Sequence, residues 1–581
     1  MGTNNAKHDG TGHNGAGYDD AQNYRDGDLE QAGGFGPEGT SEVLDTEEPR
    51  DPEEAREPEE LREPEELRDP EELRDLEEAR EAELDAALTE VLSSGLFGDE
   101  AVIREVKESP DPIIELADTT AEEARVEDIY RDILTRAPEH KVQPSLERVQ
   151  MCLDLLGNPH HSYRCVHVTG TNGKTSTARM IEALLREHGL RTGRFTSPHL
   201  VSVRERIAID GHNISRADFI QAWEDVAPFV ELVDQRSQAE GGPRMSFFEV
   251  FVVMAYVAFA AAPIDVAVVE VGMGGRWDAT NVVDGDVAVL TPIALDHERW
   301  LGHTIAQIAG EKVGIIKPGA SVVSAVQPED AAAAIAQAAH QARAHVSVYG
   351  KDIEVLGRET AVGGQLMTVR TPAARYDDIP LALRGSYQAE NAALALTAVE
   401  VFFGGRALSG DVVEHALMAV TSPGRLEVVR TSPTVLVDAA HNPHGAAHTA
   451  AALEEYYPGR RVGVLAMMAD KDVEGTLGQF EPVLDSVVVT DMPGERAMDA
   501  EELAQLAREV FGEDRVRMER DLLAAIDEAA GWAEAEAGEE LATPVVAVLG
   551  SVYLAGMARQ IIGKGTPDEA PTTQDGAGTG H

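Results

Sequence analysis

Between Val166 and Thr177 the chain reads Val-His-Val-Thr-Gly-Thr-Asn-Gly-Lys-Thr-Ser-Thr, and the helical pattern Ala178-Arg-Met-Ile-Glu-Ala-Leu-Leu-Arg-Glu follows without a break. A short β-branched run thus meets a glycine turn that opens a helix. Few folds accommodate that order. It places the loop at a helix N-terminus, where unpaired N–H groups and the positive end of the helix dipole favour a phosphate. Gly170 and Gly173 let the backbone approach an anion closely. Lys174 adds a point charge for the terminal phosphates, and Thr175 or Ser176 offers a hydroxyl to Mg2+.

The surrounding chain has a matching rhythm. From Val166 to about Ala419, apolar β-rich runs alternate with helical ones, with strands expected near Val166–Val168, Val266–Val271, Val287–Leu290 and Ser321–Ala325. Continuous apolar runs suit a mostly parallel sheet covered on both faces. Alternating residues from Val346 to Ala382 predict an added β-hairpin, and Val126 to Ala137 and Ser145 to Leu156 predict helices ahead of the loop. At Ser422-Pro-Gly-Arg the pattern restarts, with strands expected at Thr434–Val437, Val462–Leu465, Ser486–Val489 and Val545–Leu549. The fold class is therefore α/β, and 581 residues are too many for one core. An ATP-binding domain of P-loop type is expected over 121–421 and a smaller Rossmann-like domain over 422–562.

The ends read differently. A six-residue unit recurs from Asp51-Pro-Glu-Glu-Ala-Arg to Asp75-Leu-Glu-Glu-Ala-Arg, with proline in four of its copies. Six does not match a helical repeat, proline interrupts any continuous helix, and little apolar surface offsets the ordering entropy. Residues 1–120 are expected to be a disordered acidic extension, and the Gly/Thr/Pro-rich stretch 563–581 a disordered tail. The net charge of −54 argues against nucleic acid or an anionic membrane as partner. Two cysteines, Cys152 and Cys165, form no disulfide framework, and the N-terminus lacks the order of a signal peptide, so a reducing cytoplasm is expected. The longest apolar run, Val250 to Ala262, falls short of the ~20 residues that span a bilayer and reads as a buried helix.

Further chemistry lies at the expected strand ends. Val268-Val-Glu-Val-Gly-Met-Gly-Gly-Arg-Trp-Asp-Ala-Thr-Asn ends a buried strand in a carboxylate and a glycine loop. Ligands of open α/β sheets bind there, and a carboxylate in such a run is costly to bury unless paired or on a metal. Glu270 is the candidate. His297, in Leu295-Asp-His, is either a metal ligand or a hydrogen-bonded loop residue. Lys312, by itself, reads as an ordinary solvated lysine.

These segments, with Phe195-Thr-Ser-Pro-His-Leu, Arg204-Glu-Arg-Ile, Ser246-Phe-Phe-Glu, Gly310-Glu-Lys-Val-Gly-Ile, Gly385-Ser-Tyr-Gln-Ala-Glu-Asn-Ala, Pro423-Gly-Arg, Asp438-Ala-Ala-His-Asn-Pro and Gly550-Ser-Val-Tyr-Leu, carry a resemblance. The chain from Val126 to Ile562 resembles the folylpolyglutamate synthase/dihydrofolate synthase family, the folate branch of the Mur-ligase superfamily. Its loop matches that superfamily's short form, Gly-Thr-Asn-Gly-Lys-Thr/Ser, since Val168 stands where the general P-loop has its first glycine.

The resemblance implies a nucleotide site made of Gly170, Thr171, Asn172, Gly173, Lys174, Thr175, Ser176, Asn391, Arg425, Asp438 and His441. It implies Mg2+ on Ser176, Ser197 and Glu270, with His297 helping to hold a second ion. Lys312 falls at the family's carbamylated lysine, where CO2 addition turns a cation into an anion. Lys174, His297 and Lys312 are the implied catalytic residues, and Ser246, Phe247, Arg276 and Asp278 lie in the implied substrate region. Thr175 replaces the glycine common in the folate branch, and Ser246 a frequent threonine. The implied reaction joins the amine of L-glutamate to the carboxylate of a folate or dihydropteroate through an acyl phosphate made from ATP, in a protein expected to be a monomer. A cell-wall Mur ligase acting on a UDP-linked peptide is the alternative, against which the Ser-Phe-Phe-Glu and Asp-Ala-Ala-His-Asn-Pro segments speak. A non-catalytic nucleotide-binding scaffold is a third reading, opposed by the full set of metal-site residues.

Overall fold

The computed structural model of the chain describes residues 112–138, 145–535 and 543–568. The six-residue repeats and the rest of the acidic extension before residue 112 lie outside the described residues, as does 569–581.

The central strand is β1 (Arg164–Thr169), buried from Cys165 onward. It sits in an eight-stranded sheet of order β4-β3-β2-β5-β1-β6-β7-β8. The members are β2 (Thr192–Phe195), β3 (Ile207–Ile209), β4 (His212–Asn213), β5 (Val266–Glu270), β6 (Val287–Leu290), β7 (Ser321–Ser324) and β8 (His345–Val348). Pairing is parallel from β2 through β8, and β3 and β4 add an antiparallel edge.

Eleven of the helices flank the two sheets and their linker. They are α1 (Pro112–Leu134), α2 (Glu147–Leu155), α3 (Lys174–Glu187), α4 (Arg216–Ala239), α5 (Phe247–Ala261), α6 (Glu298–Leu301), α7 (Ile305–Lys312), α8 (Ser386–Phe402), α9 (Gly410–Ala419), α10 (Pro443–Tyr456) and α11 (Val552–Ile561). Helix α1 begins inside the stretch expected to be a disordered extension. Because side chains alternate across a strand, Val166, Val168, Val266 and Val268 face one way and pack with Ile181 and Leu184 of α3 and Ala392 of α8. Cys165, Ala267 and Val269 face the other way and join Val253 and Tyr256 of α5, Phe219 of α4, Val149 of α2 and Ile129 of α1. Helix α5 is the buried helix expected from the long apolar run. Ser246 and Glu249 form its capping box, which fixes where it starts.

The stretch expected to add a hairpin instead adds three antiparallel strands, β9 (Glu354–Ala361), β10 (Gly364–Arg370) and β11 (Arg375–Leu381), in the order β11-β10-β9. A second tight turn makes the difference. There Thr371 Oγ1 accepts the N–H groups of Ala373 and Ala374 at 3.3 and 3.0 Å.

Beyond α9 the chain enters a six-stranded sheet of order β12-β13-β17-β14-β15-β16. Its strands are β12 (Glu427–Thr431), β13 (Thr434–Val437), β14 (Arg461–Leu465), β15 (Ser486–Val489), β16 (Val516–Met518) and β17 (Val545–Leu549), parallel except for β12. Apolar clusters cover both faces of this sheet too. Residues 563–568, expected to belong to a disordered tail, are tied down: the Asn213 N–H donates to the Asp568 carbonyl at 2.9 Å. No helix among the described residues is long and apolar enough to cross a membrane.

Candidate active site

The connection after β1 runs to β2 on one side and the connection after β5 runs to β6 on the other, so a crevice opens at the carboxyl ends of these two neighbouring strands, where α/β sheets bind ligands. The glycine loop fills that position. Gly170 has φ 148°, and a Cβ there would stand 1.9 Å from Thr291 Oγ1 and 2.9 Å from the Thr291 carbonyl. Gly173 caps α3 at φ 88°, where a Cβ would come within 2.7 Å of Asn391 Oδ1. Both positions therefore require glycine. Thr171 donates its N–H to the Pro292 carbonyl at 2.9 Å, anchoring the loop to the end of β6. The first N–H groups of α3 have no intrahelical partners and face the crevice. Lys174 folds over the loop, its Nζ donating to the Gly170 and Thr171 carbonyls at 3.2 and 3.1 Å. Burial pushes its ammonium below the usual lysine range, opposed by the charges of Glu270 and Asp296.

The two hydroxyls after Lys174 take different directions. Thr175 Oγ1 donates to Glu270, 2.9 and 3.0 Å from its two oxygens. Ser176 points away, to Ser422 Oγ at 2.9 Å and Gln388 Nε2 at 3.2 Å. Ser176 is thereby engaged with the interdomain linker, and the hydroxyl beside Glu270 is that of Thr175. Glu270 is 1% exposed at the end of β5. Burial raises its carboxyl above the usual range, while Lys174, Thr175, Arg425 and the Ser197 N–H pull it back.

The Thr175 hydroxyl and the Ser197 N–H thus meet at the single Glu270 carboxylate, and all three residues line the same cleft. Among the described residues no group of three or more His, Cys, Asp or Glu is poised for a metal. This donor set fits Mg2+, which binds through one or two carboxylates and takes its other ligands from phosphate and water.

Asp296, which sequence reasoning did not single out, ties the two domains together. It accepts from Lys471 Nζ at 2.6 Å and Asn442 Nδ2 at 3.0 Å, and its carboxylate lies 3.6 Å from His441 Nε2. Burial opposes its charge, but His441, His297 and Lys471 outweigh that and hold the carboxyl below its usual range. His297 starts α6 at φ 52°, with its ring 4.0 Å from Asp296 and partly exposed to the cleft. Asn172 and Asn442 exchange side-chain hydrogen bonds across the cleft, each Nδ2 donating to the other's Oδ1 at 3.1 and 3.2 Å, and Asn172 Nδ2 also meets His444 Nδ1 at 2.9 Å.

Lys312 is not a solvated lysine. It is 4% exposed, and its Nζ donates to the Gly170 carbonyl at 2.7 Å, directly behind the loop. Burial and then Lys174 push it down to about 7, against the pull of Asp296 and Asp278. Gly275 passes so close that a Cβ there would lie 2.8 Å from the Lys312 carbonyl. That packing holds the Lys312 backbone against the glycine loop after β5, and the amine lies buried behind Gly170, neither of which the local sequence shows.

The crevice widens into a cleft of about 1240 Å³ walled by both domains. Asn391, Arg425, Asp438 and His441 all reach it. Asp438 works as a brace, accepting the Leu426 and Ala440 N–H groups at 2.7 and 2.9 Å and the Thr449 hydroxyl at 3.0 Å. Asn391 is oriented by Gln388 at 3.1 Å, and Arg425 bonds the Gly424 carbonyl at 3.0 Å. Of the four expected substrate residues, two line the cleft: Ser246, at the start of α5, and Asp278, which holds the glycine loop after β5 through the Met273 N–H at 2.8 Å. The other two do not. Phe247 is buried 4.8 Å from Phe251 with the Arg206 guanidinium 5.0 Å over its ring, and Phe248 faces the cleft in its place. Arg276 turns outward to the Gly310 carbonyl at 3.1 Å. Trp277 and Trp300 add aromatic surface to the same wall.

Comparison with known proteins agrees with this architecture. The profile of the Mur ligase middle domain matches residues 239–399, and that of the Mur ligase glutamate ligase domain matches 424–552. The chain is 49% identical over 448 residues to the dihydrofolate synthase/folylpolyglutamate synthase of Mycobacterium tuberculosis, covering 74% of this chain and 92% of that protein. Its fold is similar to crystal structures of Mycobacterium tuberculosis folylpolyglutamate synthase complexed with ADP and AMPPCP, with a TM-score of 0.73 and 47% identity over 77% of this chain and all of that one. It is also similar to Escherichia coli FolC in complex with DHPP and ADP, with a TM-score of 0.62 and 30% identity over 72% of this chain and 94% of that one. Cross-domain cleft, glycine loop and sequence similarity along nearly the whole length of a relative lead to one assignment: the chain belongs to the dihydrofolate synthase/folylpolyglutamate synthase family of Mur-type ligases.

Proposed function

We propose that this protein is an ATP-dependent ligase that adds L-glutamate to dihydropteroate, to a reduced folate, or to both. The observation that carries the reading is the meeting, in one cleft, of a glycine loop with Lys174 and a buried Glu270 on the first domain and the Asp296-bound Lys471 and His441 of the second.

The chemistry requires two anions to approach. The acceptor carboxylate attacks the γ-phosphorus of ATP, a P–O bond to ADP breaks, and an acyl phosphate forms. The glutamate amine then attacks the acyl carbon, loses a proton and expels phosphate. Lys174 and the N-terminal N–H groups of α3 concentrate positive field where charge develops on the transferring group. Thr175, Ser197 and Glu270 would hold Mg2+, which supplies charge neutralisation at the phosphate oxygens. Asn391 and Arg425 are offered to the nucleotide, with Tyr387 and His448, whose rings lie 5.7 Å apart, beside them. The wall of Phe248, Trp277 and Trp300 suits a flat pterin ring, with Asp278 and Ser246 at its polar edge. Glutamate, with its two carboxylates, enters from the second domain, where Lys471 and His441 present donor groups. His297 lies between these subsites.

Lys312 fits carbamylation. An amine held near neutrality reacts with CO2 as the free base, and the resulting anion would stand beside Lys174. Two free, buried cysteines suit a reducing cytoplasm, and a monomer suffices because both walls of the cleft come from one chain.

An ADP-release assay with ATP, Mg2+ and L-glutamate tests the reading, comparing dihydropteroate, tetrahydrofolate and a UDP-linked muramyl peptide. Turnover is expected with one or both pteridine acceptors and not with the muramyl peptide. Release only with the muramyl peptide, or with none, contradicts it.

A further inference from the structure

The linker between the domains lies on the phosphate-loop helix. Ser422 meets Ser176 at 2.9 Å, and Arg179 Nε donates to the Thr421 carbonyl at 2.7 Å. Ser176 and Arg179, three positions apart, share one face of α3. Arg179 is 7% exposed, and Arg194 on β2 is 3% exposed and closely paired with Glu182. Two guanidiniums in a dry interior are costly unless a carboxylate answers each of them.

The second carboxylate comes from far along the chain. Asp568 pairs closely with Arg179, bonds Arg194 at 3.3 Å and accepts from Thr421 Oγ1 at 3.4 Å. Its backbone is fixed as well, since Asn213, on β4, donates its N–H to the Asp568 carbonyl at 2.9 Å and its Nδ2 to the Pro567 carbonyl at 2.6 Å. At the other end of this strap, Arg559 of α11 donates to the Gly565 carbonyl at 3.3 Å and pairs closely with Glu427. The other oxygen of Glu427 accepts the Gly424 N–H at 2.9 Å, just past the linker. Beside the strap the domains touch backbone to backbone: a Cβ on Gly556 would stand 2.0 Å from the Leu200 carbonyl.

We propose that residues 563–568 form a clasp across the interdomain hinge, and that Asp568 is a positioning residue for the ligase reaction. The strap starts on the second domain, passes the linker and ends on β2 and β4 of the first. It therefore sets the angle at which the second domain meets α3. That helix carries Lys174 and Thr175, and the same angle decides whether Lys471 reaches Asp296. Loss of the Asp568 charge leaves Arg179 and Arg194 in mutual repulsion, and the hold of Arg179 on Thr421 slackens. The effect reaches the chemistry through geometry, because Asp568 itself lies outside the cleft.

The test uses the full chain and the substitutions Asp568→Ala, Asp568→Asn and Asp568→Glu. Hydrogen exchange at 420–425 is expected to accelerate about tenfold or more in the Ala and Asn variants, with β14 and β17 unchanged. In the glutamate-addition assay kcat should fall and KM for glutamate rise together, by about tenfold in combination, as for a hinge residue. Asp568→Glu should restore both to within about threefold. Should Asp568→Ala not fold, Asp568→Asn, which keeps the shape and removes only the charge, gives the same reading. Unchanged linker exchange in the folded variants overturns the clasp, whatever the activity does. Faster exchange with unaltered kinetics overturns the positioning role. The kinetic arm rests on the ligase reading above and the exchange arm does not, so the two failures are separable.

Discussion

Lys471 Nζ lies 2.6 Å from Asp296 Oδ1, both side chains less than a tenth exposed, and the two residues belong to different domains. Asp296 follows the strand beside the phosphate loop, and Lys471 follows β14 of the second sheet. Their contact therefore records how the domains meet. It also places a lysine, an imidazole at His441 and the amide of Asn442 around one carboxylate at the cleft's centre.

Breaking that contact from one side leaves a buried charge unanswered. Asp296→Asn is expected to destabilise the protein by about 3–5 kcal/mol and to abolish most activity. The double variant Asp296→Asn with Lys471→Met should recover part of the stability. Urea unfolding of the two single variants and the double variant measures the coupling. Strictly additive losses would remove the pair from the account.

Lys174→Ala should lower kcat/KM by roughly 10²-fold or more, because the point charge acts on charge that develops only in the transition state. Burial already holds the ammonium below its usual range, so the fold loses little with it. Steady-state kinetics beside a thermal melt separates the two effects. Near-normal turnover would end the role given to this lysine.

Thr175 and Ser176 make a sharper comparison. Thr175→Ala removes the hydroxyl at Glu270 and should raise the Mg2+ concentration needed for half-maximal rate by about tenfold. Ser176→Ala should leave the Mg2+ requirement within about twofold and lower stability by about 1 kcal/mol, the loss of a linker hydrogen bond. Magnesium titration of both variants decides it. The opposite pattern would return the cation ligand to Ser176.

Lys312 predicts a pH effect. Its folded-state value near 7 lies below the ordinary 10.5. Between those values the unfolded chain binds the extra proton, so this site's contribution to stability rises with pH through that window. In CO2-free buffer, Lys312→Met should be more stable than the unsubstituted protein at pH 7, by at most about 5 kcal/mol, and the gain should shrink as pH approaches 10. Denaturant melts at several pH values check this. A gain independent of pH would mean the lysine is not held neutral by burial.

The first domain's inner strands were readable because parallel strands covered on both faces are continuous runs such as Val266–Glu270 and Val287–Leu290. The antiparallel edge and the strand beside it were not. Thr192–Phe195 and His212–Asn213 are short and polar, and pairing rather than composition makes them strands. The glycine loop was legible since each feature, from Gly170 to Thr175, is local. Lys312 was misread for the opposite reason, because Gly275, against its backbone, and Gly170, against its amine, come from other parts of the chain. Asp296 with Lys471, and Asp568 with Arg179, carry no local signal either, since each pair meets only when distant elements pack. Phe247 and Phe248 differ by one position on a helix, and only the packing of α5 decides which ring meets the cleft.

The central claim is that the glycine loop lets a carboxylate attack ATP and leave as an acyl phosphate before glutamate arrives. Its most direct test is an acceptor, dihydropteroate or tetrahydrofolate as the assay selects, carrying heavy oxygen in its reacting carboxyl group, with phosphate analysed by mass spectrometry after glutamate addition. The account predicts one labelled oxygen transferred to inorganic phosphate for each amide formed, with the rate of transfer falling roughly 10²-fold or more in Lys174→Ala. Amide formation with unlabelled phosphate would contradict it.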